Sequence, residues 1–126
     1  MYEEMKVQLS GINAINITPF HDDYSIDYEA LGRNLDDLIS RGIQVIYPCG
    51  NTGEYYSLTC DEAQEVAAFA VRHIAGRAKV MVGIGHDART AAMLAKHAEQ
   101  AGADGLMLHQ PVHPIQSEAG MLAYYR

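Results

Sequence analysis

Ile43-Gln44-Val45-Ile46-Tyr47-Pro48-Cys49-Gly50-Asn51-Thr52-Gly53-Glu54 is the stretch on which the fold turns. Its first five residues form a short apolar, β-branched run of the kind that makes a buried strand. A few residues later Thr59-Cys60-Asp61-Glu62 opens an amphipathic helix, with a hydroxyl at the cap and a carboxylate three residues on. The segment between them is therefore a strand-to-helix loop. Two glycines flank two small polar residues, so the backbone can turn tightly and leave N–H groups facing an anion such as a carboxylate. Parallel α/β proteins present their sites at such strand ends, which makes Gly50, Asn51 and Thr52 candidate binding residues.

Outward from the loop the same unit recurs. Upstream, Ile12–Ile17 predicts a strand stopped by Thr18-Pro19-Phe20. Tyr28, Leu31, Leu35, Leu38 and Ile39 then repeat at helical spacing, with Asp27 or Ser25 as cap and Gly42 as stop. Downstream, Ala63, Val66, Ala67, Ala70, Val71 and Ile74 stripe the helix that begins at Thr59 and ends at Gly76. Lys79–Gly85 is a third strand, turning polar at His86-Asp87, and it leads to a helix capped by Thr90 or Asp87, striped by Ala91, Leu94, Ala95, Ala98 and Ala101, and stopped by Gly102. Gly105–Leu108 is a fourth strand running into His109-Gln110-Pro111-Val112-His113-Pro114, and Ser117-Glu118 opens a last helix. The class is α/β, built from four βα units. Apolar runs without strict alternation suit strands covered on both faces. Two architectures meet this pattern: the N-terminal half, (βα)4, of a TIM (β/α)8 barrel, or a small open parallel sheet. Periodicity leaves both open.

The bulk composition narrows the partners. With 126 residues, 48% of them hydrophobic, the chain can build one domain with a core. A net charge of −7 argues against nucleic acid and anionic membrane surfaces, which attract basic proteins. The start, Met1-Tyr2-Glu3-Glu4-Met5-Lys6, lacks the apolar core of a signal peptide, and no stretch approaches the roughly 20 apolar residues of a membrane span. A cytoplasmic protein is expected. Cys49 and Cys60 have neither CxxC spacing nor the density of a disulfide scaffold, so reduced thiols are expected.

Four motifs in order carry a more specific signal. The strand end Ile17-Thr18-Pro19-Phe20, the loop Gly50-Asn51-Thr52-Gly53-Glu54, the trailing Leu58-Thr59 and Glu62, and the fourth strand leading to Pro111 resemble the dihydrodipicolinate synthase and N-acetylneuraminate lyase family. The likeness covers residues 1–126 but corresponds to the N-terminal half of such a barrel, the C-terminal half being absent. It implies class I aldolase chemistry, in which a lysine forms a Schiff base with pyruvate or a related 2-keto acid and the enamine adds to an aldehyde, or the reverse. No cofactor is implied. It further implies that Gly50, Asn51 and Thr52 hold the keto acid's carboxylate, that the second residue after the proline, here His113, relays protons, and that the protein is a homo-oligomer, usually a tetramer.

Three departures from the family pattern bear on mechanism. Asn51 stands where the first of two hydroxyl residues is usual, and an amide donates hydrogen bonds but does not relay a proton as a hydroxyl does. His113 replaces a tyrosine, and an imidazole can act as acid and base near neutral pH. The Schiff-base lysine of the family belongs to the sixth strand, and Lys6, Lys79 and Lys96 do not match its position. The pair Asn51 and His113 remains the candidate catalytic set, on a side branch handling another keto acid or a sugar acid.

Plainer readings stand beside these. Gly50–Glu54 alone would be an ordinary βα turn, with Glu54 bonding backbone groups beneath it. His86, His109 and His113 all follow strands, but the HxH pairing of metal-dependent barrels is missing and no metal is expected. His109 reads as a hydrogen-bonded pocket wall, and His21, His73 and His97 as solvated positions. Tyr55 and Tyr56 either line the pocket or a subunit contact, or pack under the loop. A non-catalytic half-barrel that pairs with itself or binds a keto acid is the alternative to the enzyme, because unpaired first and fourth strands seek partners.

Overall fold

The computed structural model describes residues 2–112 and 117–126. Its elements run α1 (Tyr2–Leu9), β1 (Asn13–Ile15), α2 (Tyr28–Ser40), β2 (Val45–Tyr47), a 3-10 turn (Tyr55–Ser57), α3 (Cys60–Ile74), β3 (Lys79–His86), α4 (Ala88–Ala101), β4 (Gly105–Pro111) and α5 (Glu118–Tyr124). Each expected βα unit is present. The N-terminal helix α1 is an addition that the sequence pattern did not announce, and the Asn13 side chain donates to the Leu9 carbonyl at its end (3.0 Å). The first asparagine in the β1 run is thus tied to a helix terminus.

The caps that the residue types suggested are made. Asp27, not Ser25, caps α2 by accepting from the Ala30 N–H (2.9 Å). Thr59 and Glu62 form a reciprocal capping box at α3. Asp87 caps α4, accepting from the N–H groups of Arg89 and Thr90, while Thr90 donates its hydroxyl to the Asp87 carboxylate. The α3 helix closes on Ala75 in the left-handed region (φ 48°), one residue before the expected glycine.

All strand pairs are parallel, in the order β1-β2-β3-β4. Spatial order follows chain order with no reversal, so the sheet has no topological switch point of the doubly wound kind. Ile46, Val80, Val82 and Ile84 share one buried cluster with Leu31 and Leu35 of α2, Val66 and Ala70 of α3, and Leu94 and Ala98 of α4. Alternation then puts Met81, Gly83 and Gly85 on the opposite face of β3. Apolar side chains remain exposed on the two outer strands at Ile15 and Leu106, and just past β1 at Ile17.

Candidate functional site

The carboxyl ends of the four strands meet under the glycine loop. From β1, Asn16 and Thr18 are buried, and the Thr18 hydroxyl donates to the Gly53 carbonyl (2.7 Å). Gly53 fits closely there, since a Cβ would stand 3.0 Å from the Asn16 carbonyl oxygen and 3.3 Å from that of Gly50, and the backbone around it would have to give by a few tenths of an ångström. Inside the loop, the Gly50 carbonyl accepts from the N–H groups of Gly53 (3.0 Å) and Tyr55 (3.3 Å), and the Asn51 carbonyl accepts from Glu54 N–H (3.1 Å). These bonds curl the segment into a turn. Among the described residues, the backbone N–H groups of Gly50, Asn51 and Thr52 make no hydrogen bond. Asn51 and Thr52 are exposed, whereas Gly50 and Gly53 are buried.

Two residues bracketing the loop, Cys49 and Glu54, adopt φ of 60° without being glycine. Such left-handed residues are held only where the surroundings fix them. Cys49 is fully buried, its thiol reaches the Ala63 carbonyl (3.5 Å), and its own carbonyl is met by His109 Nε2 (2.8 Å). Burial pushes the Cys49 thiol pKa up to about 12, so it is a neutral packing group. Glu54 does not bond the backbone beneath the loop as expected. It is exposed, and its carboxylate accepts from the Ser57 hydroxyl (3.3 Å).

Beneath the loop lies a ring cluster. Tyr55 is fully buried and stacks with both His109 (4.3 Å between centroids, 16°) and His86 (4.8 Å, 28°). Of the two roles open to it, packing under the loop is the one it has. Among the described residues its hydroxyl has no hydrogen-bond partner, and desolvation raises its pKa. Tyr56 is half-exposed and donates its hydroxyl to the Gln110 carbonyl (3.3 Å). His86 sits at the end of β3 with φ 74°. His109 is hydrogen-bonded, as expected. His73 is not a solvated position: it stacks on Phe69 (5.4 Å) and lies 3.1 Å from Asp36, where with Arg77 it holds the Asp36 carboxyl below its usual range. His97 is half-buried beside α3, in a groove of about 470 Å³ on the helical face, whereas His21 is exposed.

His113 lies outside the described residues. Among those described, no group of three metal-ligating side chains is assembled, and no helix is long and apolar enough to cross a membrane. Lys79 is at the amino end of β3, 2.9 Å from Asp104, and Lys96 is exposed on α4. Neither reaches the loop end of the sheet by its strand or helix position. The signal for the His109 contact was in the sequence only as a histidine after a strand; its partner, a backbone carbonyl 60 residues away, leaves no trace in a local pattern.

A singly wound parallel sheet of four βα units is half of a (β/α)8 barrel. The chain belongs to the dihydrodipicolinate synthetase family, whose sequence profile matches residues 8–126. It is 37% identical over 123 residues to a probable 5-dehydro-4-deoxyglucarate dehydratase of Bradyrhizobium sp. (strain ORS 278), covering 97% of this chain and 39% of that protein. A crystal structure of dihydrodipicolinate synthase from Oceanobacillus iheyensis superposes with a TM-score of 0.94 at 45% identity, over 99% of this chain and 42% of that one. YagE, a prophage protein of the dihydrodipicolinic acid synthase family from E. coli K12 crystallised with pyruvate, superposes with a TM-score of 0.84 at 34% identity, over 90% and 39% of the two chains. The chain thus spans about 40% of the length of the relatives it matches. The open-sheet alternative is set aside by these superpositions.

Proposed function

We propose that these residues form the carboxylate-binding side of a class I Schiff-base lyase or aldolase acting on pyruvate or a related 2-keto acid. The observation that carries this reading is the run of three backbone N–H groups at Gly50, Asn51 and Thr52 that are unused among the described residues, presented at the carboxyl edge of a parallel sheet. A carboxylate accepts several such donors at once, and charge-assisted bonds to backbone N–H groups are the stronger kind. Asn51 and Thr52 add an amide and a hydroxyl to the same edge. The lysine that forms the Schiff base comes from sequence other than Lys6, Lys79 or Lys96, and His113 moves the proton that a tyrosine moves in the family. Bound keto acid then becomes an enamine poised to add to, or be released from, a second substrate. A homo-oligomer in the cytoplasm is part of the same reading.

Titration with pyruvate, followed by amide shifts of Gly50–Gly53, tests it. Thr52→Val removes one hydroxyl donor and is expected to weaken binding roughly tenfold, the cost of one hydrogen bond to a charged group. Equal affinity in the variant would sink the loop assignment. A second reading, a non-catalytic half-barrel that binds a keto acid or pairs with its own copy, is favoured by Ile15 and Leu106, exposed on the outer strands, and by Ile17 just past β1. Light scattering decides on that one: a monodisperse dimer that binds pyruvate without a borohydride-trapped adduct would support it.

A further inference from the structure

The face of β3 opposite the helical layer carries glycine at 83 and 85, and the room is filled from two other strands. A Cβ on Gly83 would overlap the Cys49 carbonyl and stand 2.9 Å from His109 Nε2; one on Gly85 would stand 2.9 Å from the His109 Cβ. Two successive carbonyls at the start of the loop are therefore taken by this side of the sheet. Pro48 accepts from Gly83 N–H (2.9 Å), and Cys49 accepts from His109 Nε2 (2.8 Å). The histidine itself is clamped: its ring stacks on Tyr55, its side chain is buried, and its own carbonyl accepts from the Tyr124 hydroxyl of α5 (3.1 Å).

The carbonyl of Cys49 and the N–H of Gly50 belong to one trans peptide plane, so they point in opposite directions. Whatever holds that oxygen aims that N–H. We infer that His109 is a positioning residue for the loop: by donating Nε2–H to the Cys49 carbonyl it fixes the 49–50 peptide plane, holds Cys49 in its left-handed conformation, and turns the first free donor, Gly50 N–H, away from the sheet toward the ligand side. A carbonyl only accepts, so the neutral ring must be the Nε2–H tautomer, and protonation of the other nitrogen leaves the bond intact. The inference rests on the reading of residues 50–52 as a carboxylate site for its consequence, but not for its geometry.

Two variants of this chain separate donor from shape. In His109→Gln the amide nitrogen is as many bonds from Cα as Nε2 and can donate to the same oxygen. In His109→Leu it cannot. Hydrogen exchange of the loop amides Gly53, Glu54 and Tyr55 is expected to quicken roughly tenfold in His109→Leu, the order expected for a buried carbonyl left without its donor, and to stay within about threefold in His109→Gln. Pyruvate affinity should follow the same order, and a nitrogen-detected spectrum of the unmodified chain should show His109 as the Nε2–H tautomer. Unchanged exchange in His109→Leu, equal loosening in both variants, or an Nδ1–H tautomer would each overturn the inference. If His109→Leu does not fold, the tautomer and the native exchange of His109→Gln decide. Absence of pyruvate binding in the unmodified chain, with the exchange pattern as expected, would remove the keto-acid reading and leave the hold of His109 on the loop standing.

Discussion

The two ends of the sheet are finished differently. At the amino end, polar groups find one another: Lys79 Nζ lies 2.9 Å from one Asp104 oxygen, Val80 N–H donates to the other at 2.9 Å, Asp104 N–H returns a bond to the Val80 carbonyl, and Lys79 N–H donates to Gln44. At the carboxyl end, Cys49, Glu54 and His86 sit at left-handed φ and, among the described residues, three backbone donors are unused. Among those residues, buried polar atoms without a partner occur at both ends: Asn13 Oδ1 at the amino end, Asn16 Oδ1 and the Tyr55 hydroxyl at the carboxyl end. Left-handed non-glycine residues persist only where their surroundings hold them and gather at ligand-binding and catalytic sites, so the edge that combines them with unused loop donors is the edge built for something else. In barrels of this class, the amino end reads as stability and the carboxyl end as chemistry.

Substitutions at the two ends should separate along that line. The largest effect is expected for Gly83→Ala, whose methyl meets the Cys49 backbone rather than a movable side chain. A loss of roughly 3 kcal/mol or more in urea unfolding is expected, together with loss of keto-acid binding; a near-native midpoint would mean that the loop is not seated on β3 as described. Asp104→Ala, at the other end, leaves Val80 N–H and Lys79 without their acceptor. It should cost about 1–2 kcal/mol while leaving pyruvate affinity unchanged, and a fall in affinity would break the division between the ends. The smallest effect is that of acid. The carboxyl of Asp36 is held below its ordinary range first by the His73 imidazole beside it and then by Arg77, and that of Asp87 by its bonds to Thr90. A folded-state pKa below the unfolded one contributes stability above the ordinary carboxylate range, lost as pH falls through the folded value. The thermal midpoint should therefore hold from pH 7 to about 5 and decline below about pH 4. A decline beginning near pH 6.5 would point to the histidines instead.

What could be read from the sequence was what is encoded locally. The Thr59/Glu62 box, the Asp27 and Asp87 caps and the stripe from Ala63 to Ile74 each sit within one helix, so the residues that make the structure are neighbours in the chain. Loop residues 50–53 were legible as a turn for the same reason, since glycines flanking small polar residues after a strand mark a place where the backbone can turn tightly. Less legible was α1, whose alternation of Glu3, Glu4 and Lys6 with Met5 and Val7 makes only a weak apolar face. The left-handed Cys49 and Glu54 could not be foreseen, because nothing about a cysteine or a glutamate favours φ > 0, and the contacts made by the Cys49 carbonyl come from His109 and Gly83 on other strands. His73 gave the same difficulty on the helical side: its partner Asp36 is on α2, and only packing of α2 on α3 brings the two together.

Because the strands lie side by side in the order in which they are linked, the chain closes each pairing over a similar span. Residue 13 meets 45, a separation of 32; residue 45 meets 79, a separation of 34; residue 81 meets 105, a separation of 24. Loop-closure entropy grows only as the logarithm of length, so these spans differ by about 0.3 kcal/mol, too little to rank them. The length of the paired register ranks them instead. The pairing of β3 with β4 runs longest, from Met81 to His86 against Gly105 to Pro111, and it is the one that carries His109. On refolding, assembly would begin in the C-terminal two units and spread toward β1, with the glycine loop seated only after the strand that holds its carbonyl is already in place.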